Sequence, residues 1–425
     1  MQSGPTDVVT SFVPRLQAVS TLQTADVVVV GGGLSGSLAA LVLERLGYSV
    51  VLVDRWAEHP PEFRVEKIAG DQVELLRRLG LLECIADAST YFDRIINASR
   101  GRLIDTTYGP HYGIFYHDLV NLVRAKLRPS STVIGRVTEI RTGSHQQQVI
   151  VADRGTVEAR LVILATGMSD PLRRSLGITR KTVFEKHSIS FGFNVAPAVG
   201  STFTFGALTY YGEALSNRID YMNLFPIGEV MRANLFTFRD YQDEWLRTIR
   251  QAPERTLLAT MPGLDCFTGR LQVIDKVQNW TMDLYRAENY VRDGIVLIGD
   301  AFQTSCPAAG TGVSRLLTDV QQLCLVHVPR WLTSPGMTSP KIAQFYADPV
   351  KQAADARSAY LANYRRSLTL DESLKWQAHR RQLYFRRRIV GWIKDFRIQP
   401  PRPMRAAAAR VPLLLRRQAV RLRND

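Results

Sequence analysis

The stretch GDAFQTSCPAAGTG, residues 299 to 312, holds three glycines, one proline and one aspartate, with no histidine and no lysine. A loop so poor in general acids and bases must do something other than acid or base chemistry. A second glycine-rich segment lies near the N-terminus. Gly31, Gly33 and Gly36 form G-x-G-x-x-G, and Asp54 follows 18 residues after the last glycine. That spacing suits a dinucleotide: a tight turn, close approach of the backbone to a pyrophosphate, close packing of helix on strand, and a carboxylate for a ribose hydroxyl. An acid at 54 favours a free hydroxyl over a 2′-phosphate, which suits NAD or FAD better than NADP.

Regular elements must carry these groups. ADVVVVGGGLSGSLAALVLERLGYSVVLVDR (25–55) reads as strand, helix, strand, with the positive end of the helix facing the phosphates. FRVEKIAGDQVELLRRLGLLECI leads from a loop into an amphipathic helix with Val73, Leu75, Leu76, Leu79 and Leu82 inward, and FYHDLVNLVRAKL gives another with Asp118 in its first turn. Short alternating runs between 133 and 164 predict strands, and SISFGFNVA, STFTFGALTYYG, IDYMNLFPIG and MRANLFTF predict a separate antiparallel sheet. GTGVSRLLTDVQQLCLVHV predicts a helix after the 299–312 loop. The fold class is therefore α/β: a Rossmann-type domain with an inserted antiparallel sheet and a helical C-terminal region. The division is 1–24 as an extension, 25–183 as the first nucleotide-binding part, 184–285 as the inserted substrate sheet, 286–328 as the second nucleotide-binding part, and 329–425 as a basic helical region.

The 425 residues, 45% hydrophobic, suffice for two domains without covalent staples. Cys84, Cys266, Cys306 and Cys324 show no C-x-x-C pairing, which fits a reduced cytoplasmic setting and no metal centre. The first 24 residues lack the pattern of a signal peptide, and no 18 apolar residues run without a charge. Of the formal net charge of +15, residues 376–425 carry +12, from 14 Lys+Arg against 2 Asp. The rest of the chain is nearly neutral, and no nucleic-acid reading motif accompanies the charge.

A strand, Gly-Asp, a Pro/Gly-rich loop and a helix form the second half of a flavin site. With the N-terminal fingerprint, this part of the chain, roughly 25 to 328, resembles the p-hydroxybenzoate hydroxylase family of class A, single-component FAD monooxygenases. The resemblance implies that Asp300 binds the ribityl chain of FAD, with Gly299 beside it in the cofactor site, and that Pro307, Gly310 and Gly312 bring amides against the isoalloxazine. It places Arg64 beside the FAD and His117 where many members carry a cofactor-contacting arginine. Three departures stand out: Gln303 for the family histidine, Ser314 for its asparagine, and Thr166-Gly167 for its Asp-Gly motif. The last leaves open which nicotinamide reduces the flavin, or whether a separate reductase does.

The resemblance implies a reaction in which NADH or NADPH reduces FAD, O2 adds to give a flavin hydroperoxide, and one oxygen passes to an activated aromatic or enol. It requires no catalytic base, and the sequence assigns none. The substrate face is expected from the inserted sheet, through Tyr210, Tyr221, Phe225, Pro226 and Arg232, and its aromatic, mostly uncharged character points to a lipophilic small molecule. The basic C-terminal segment interleaves arginines with Trp376, Tyr384, Phe385 and Trp392, a composition that suits either an anionic membrane surface or packing on the body. The sequence sets no oligomeric state. Two other enzymes share this flavin architecture, a reductase of the geranylgeranyl-reductase type and a flavin-dependent halogenase; the Trp-x-Trp-x-x-Pro segment of the latter is absent.

Overall fold

The structure, a computed structural model, describes residues 21–64 and 66–398, with side chains as far as Gly391. Most of the N-terminal extension and the arginine-rich stretch after residue 398 lie outside the described residues.

Four consecutive valines explain the centre of the first sheet. Val27 to Val30 are at most 2% exposed, as a parallel strand covered on both faces requires. This strand, β1 (Thr21–Val30), starts four residues before the apolar run and pairs in parallel with β2 (Val50–Asp54) and β9 (Gly155–Leu164). The parallel order is β6 (Thr132–Ile134), β2, β1, β9, β16 (Ile295–Leu297), and the hairpin β7 (Val137–Arg141) and β8 (Gln147–Val151) hangs on the first half of β9. Helix α1 (Leu34–Arg45) follows the glycine turn and is buried along Leu38 to Leu43.

The second sheet is larger than the segment 184–285. It is ordered β14 (Leu271–Val273), β10 (Thr179–Pro197), β13 (Val230–Thr237), β12 (Ile219–Ile227), β11 (Leu208–Tyr211), β4 (Thr90–Ser99), β5 (Arg102–Gly113), β3 (Lys67–Ala69), with β15 (Gln278–Glu288) also on β10. β4 and β5 form a hairpin that alternation did not reveal, closed by Arg100 and Gly101, both at positive φ. One face of this sheet packs Phe191, Phe193, Met222, Leu224 and Leu235 on the helices Trp245–Gln251 and Pro253–Thr260. The other face turns toward the first sheet.

Helices close the assembly. Gly312–Gln321 continues through a π-helical stretch, Gln322–His327, into Val328–Leu332. The helix Pro349–Leu370 is capped by Asp348, which accepts from Val350 N and Lys351 N, and is tied to β12 by Arg365 on Asp220. The C-terminal helix Leu374–Ile398 lies on β5, where Arg387 donates to both oxygens of Asp105 at 2.7 Å. Arg380 donates to Leu368 O of the preceding helix, so Arg380 and Arg387 tie this part of the basic region to the body. Among the described residues, no helix is long and apolar enough to cross a membrane. All four cysteines are free thiols.

Candidate functional site

A single cleft of about 1610 Å³ separates the two sheets and reaches both glycine-rich segments. At one end, Gly31 donates to Val53 O at 2.9 Å and holds φ +105°, and a Cβ there would stand 2.6 Å from Ala165 O. Gly36 lies outside the cleft and serves packing, since its Cβ would be 1.9 Å from Gly31 O. Gly33 differs: nothing but Tyr116 Oη, at 3.6 Å, meets a Cβ there, so the missing side chain opens ligand space above the helix start, whose first amide, Leu34 N, donates to Tyr116 Oη at 3.3 Å. Asp54 accepts from Gly32 N at 2.5 Å and from Trp56 N at 2.8 Å. Arg124 points a buried, unpartnered Nη1 at it from 4.0 Å.

The loop after β16 forms the floor. Gly299 at φ +59° donates to Asp319 Oδ2, and Pro307–Ala309 makes a short helical turn that ends on left-handed Gly310. Hydrogen bonds from three surrounding elements help to fix the loop. Tyr221 donates to Ala308 O at 2.9 Å, Gln72 to Gly310 O at 3.2 Å, and Arg315 to Ser305 Oγ, to Gln303 O and to Asp300 Oδ1. Asp300, Pro307, Gly310 and Gly312 all line the cleft. Arg64 stands there too, donating to Glu62, 3.6 Å from Asp300 Oδ2 and over the Trp280 ring.

Beyond the loop, strand register decides which side chains face the ligand space. Tyr221 pairs with Phe236, Asn223 with Asn234 and Phe225 with Arg232, and these share the cleft face with Ser190. Trp280 and Met282 of β15 add apolar surface. Burial pushes the Tyr221 phenol upward, as it does Tyr116, raised to about 12.

Of the residues expected from sequence, Gly31, Gly33, Asp54, Arg64, Gly299, Asp300, Pro307, Gly310, Gly312, Tyr221 and Phe225 line one cleft. Five do not. Gly36 packs as described. His117 stacks on Phe115 with Nε2 3.5 Å from Asp118, and its neighbour Tyr116 takes the cleft position, one step of helix phase away. Tyr210 pairs with Met222 on the opposite face and donates to Glu213, with its oxygen also accepting from Gly101 N. Pro226 has the parity opposite to Phe225 and lies off the lining. Arg232 has the right parity but is consumed by Glu66, at 2.7 and 3.0 Å. Gln303 is also outside the lining, whereas Ser314 is inside it and donates to Asp71. Sequence reasoning missed Tyr116, Trp280, Met282 and Asn223; for Trp280 and Met282 the available signal was their common parity on one strand.

These residues fit an FAD. The fingerprint and the second loop open onto one elongated space, Gly33 leaves a cradle that a Cβ would fill, and buried Thr166 Oγ1 and Trp280 Nε1 line the space without partners.

Several known proteins are similar to this chain. A family model described as an FAD binding domain matches residues 24–326. Aklavinone 12-hydroxylase DnrF of Streptomyces peucetius is 26% identical over 343 residues, 70% of this chain and 66% of that protein. Ubiquinone hydroxylase UbiL of Rhodospirillum rubrum is 24% identical over 341 residues, 74% of this chain and 75% of that protein. The chain spans 66% of DnrF and 60% of tetracenomycin A2 monooxygenase-dioxygenase of Streptomyces glaucescens, less than two thirds in both. Among solved structures, p-nitrophenol 4-monooxygenase PnpA of Pseudomonas putida DLL-E4 superimposes with a TM-score of 0.68 at 18% identity, over 88% of this chain and 98% of that one. With the family match running through both glycine-rich segments and the sheet between them, the chain belongs to the FAD-binding-domain family, the flavoproteins that include the class A monooxygenases.

Proposed function

We propose that this chain is an FAD-dependent monooxygenase that uses NAD(P)H and O2 to hydroxylate or otherwise oxidise a lipophilic aromatic or enol-type small molecule. One observation carries the reading: a dinucleotide fingerprint, a second Gly-Asp loop and an aromatic sheet face open onto the same cleft. When bound, FAD would supply the redox and oxygen-transfer chemistry.

The protein's own work is binding, orientation and exclusion of water. The Gly31–Leu34 turn would bring the helix start to the pyrophosphate, and Asp54, which already accepts from Gly32 N, would take a ribose hydroxyl. Asp300 would take a ribityl hydroxyl, held in place by Arg315, with Arg64 beside it. The amides at the start of the helix Gly312–Gln321, which has no side-chain cap, would favour negative charge on a bound flavin, as preorganised donors do. Tyr221, Phe225, Phe236, Trp280 and Met282 form an apolar seat for a flat substrate. No side chain is assigned as a catalytic base.

A reductase reading draws support from Thr166, which stands where the resemblance expects an aspartate and has an unpartnered hydroxyl. One experiment separates the two. Protein purified without added flavin is examined by visible spectroscopy under anaerobic conditions, with NADH or NADPH and a panel of phenols, quinones and acidic enols, and then for oxygen uptake. Bound FAD that bleaches faster with one panel class, followed by a product carrying one oxygen atom from O2, supports the monooxygenase. Bleaching with substrate reduction and no oxygen incorporation supports the reductase, and colourless protein overturns both.

A further inference from the structure

The cleft contains a positive group that the functional reading leaves unused. Lys67 lies on β3, and His111 lies on β5 directly opposite Ala69. Residues 67 and 69 point to one face of their strand, and the residue opposite Ala69 shares that face, so both side chains enter the same part of the cleft. Lys67 Nζ is 5.8 Å from the centre of the Phe225 ring.

Neither group makes a hydrogen bond or ion pair among the described residues; their contacts are with rings, Lys67 with Phe225 and His111 with Phe92. Only burial acts on the Lys67 ammonium, lowering it to about 8. The adjacent carboxylate, Glu66, is already paired in both oxygens with Arg232. His111 is 6% exposed, and neither of its ring nitrogens has a hydrogen bond. Burial, then the charge of Lys67, brings its imidazole down to about 4, so the ring is neutral and offers one donor and one acceptor. Asp93 on β4 acts on His111 from an exposed position. A half-buried ammonium without a counter-charge and a buried imidazole without a hydrogen bond both cost free energy. A ligand bearing the complementary charge would recover it.

We propose that Lys67 and His111 form a receptor for an anionic oxygen attached to the aromatic substrate, with Lys67 as charge partner, the His111 N–H as second donor and Phe225 against the ring. This rests on the functional reading above and narrows it: a cleft whose aromatic lining suits a lipophilic ring also carries one unbalanced positive charge at its sheet end. A ring carboxylate and an ionised enol share the required chemistry.

The test is equilibrium binding to the FAD-loaded protein, followed by perturbation of the flavin spectrum, with two matched ligand pairs. 2-Naphthoate is set against 2-naphthamide, and 4-hydroxycoumarin against 4-methoxycoumarin. The expected result at pH 7 is that in at least one pair the anion binds tenfold or more tightly than its neutral counterpart. The pair that discriminates separates a carboxylate ligand from an enolate. Lys67→Met should cut the preference below threefold and Lys67→Arg should retain it. Should Lys67→Met fail to fold, wild-type protein alone decides, because its preference should fall as pH rises through about 8. Equal affinities within both pairs, or a preference that survives both Lys67→Met and alkaline pH, overturns the proposal while the flavin reading stands. A protein that retains no flavin, or whose flavin no aromatic ligand perturbs, overturns the functional reading and this proposal with it.

Discussion

Arg315 holds Asp300 at the floor of the cleft from a position 1% exposed, with Nη2 3.4 Å from Asp300 Oδ1 and Nη1 3.6 Å from Asp319 Oδ2. Asp319 is in turn held by Lys351 at 2.8 Å, and Lys351 by Asp355 at 3.1 Å. The one carboxylate of the second loop is therefore fixed by a buried charge network before any ligand arrives. Asp300→Ala removes a group that faces ligand space and leaves the network otherwise paired. It is expected to fold, with FAD affinity reduced about 10- to 100-fold, the worth of a charged hydrogen bond. Absorbance at the flavin maximum, set against circular dichroism of the same sample, checks it; yellow protein at full stoichiometry would contradict the assignment.

Two glycines of the fingerprint separate fold from function. Gly36→Ala drives a Cβ to 1.9 Å from Gly31 O, and overpacking of that kind should cost about 2–3 kcal/mol in the apoprotein. Gly33 has φ −71°, which alanine adopts freely, and its Cβ would meet only Tyr116 Oη at 3.6 Å. Gly33→Ala should leave the apoprotein Tm nearly unchanged and weaken FAD binding tenfold or more. Thermal melts and flavin titration of both variants make the comparison; equal loss of Tm in the two would refute it.

Arg232 and Glu66 are both almost fully buried and paired in two hydrogen bonds. Arg232→Met strands a buried carboxylate and should destabilise by about 3–5 kcal/mol. Adding Glu66→Gln should return more than half of that. Urea unfolding of the single and double variants measures it, and an additive double mutant would show that the pair is not coupled.

Lys67 gives a pH signature of stability. Its ammonium ionises near 10.5 in the unfolded chain and near 8 in the fold. Between these values the unfolded state binds more protons, so this residue's contribution to stability rises with pH across that window, and the cost of its burial is fully present below pH 8. Lys67→Met should exceed wild type by up to about 3 kcal/mol at pH 7, less in proportion as solvent reaches the ammonium, with the gap closing by about pH 10.5. A gap independent of pH would place the lysine in water.

Much of this was legible in the sequence because the periodicities are strong. The β1–α1–β2 unit and the helix after Gly312 follow directly from valine and leucine patterns, and parity put Tyr221 and Phe225 on one face. What parity could not supply is which face meets the ligand, and Tyr210 was lost to the opposite side once β11 paired it with Met222. The β4–β5 hairpin escaped notice because its alternation is interrupted by polar residues and its turn is Arg-Gly. Lys67 and His111 are 44 residues apart, joined only through strand pairing, and the sole local trace is a lysine beginning an otherwise apolar strand.

Tyr221 belongs to the aromatic seat by its ring and to the flavin loop by its hydroxyl, which donates to Ala308 O. A residue shared between two compartments makes each a reporter of the other. If substrate draws the Tyr221 ring into contact, it also steadies the carbonyl that shapes the loop, and linkage requires the flavin to favour substrate by the same factor. The practical outcome is retention: cofactor should leave the substrate-loaded protein more slowly than the empty one, so that flavin is held tightest while it is in use.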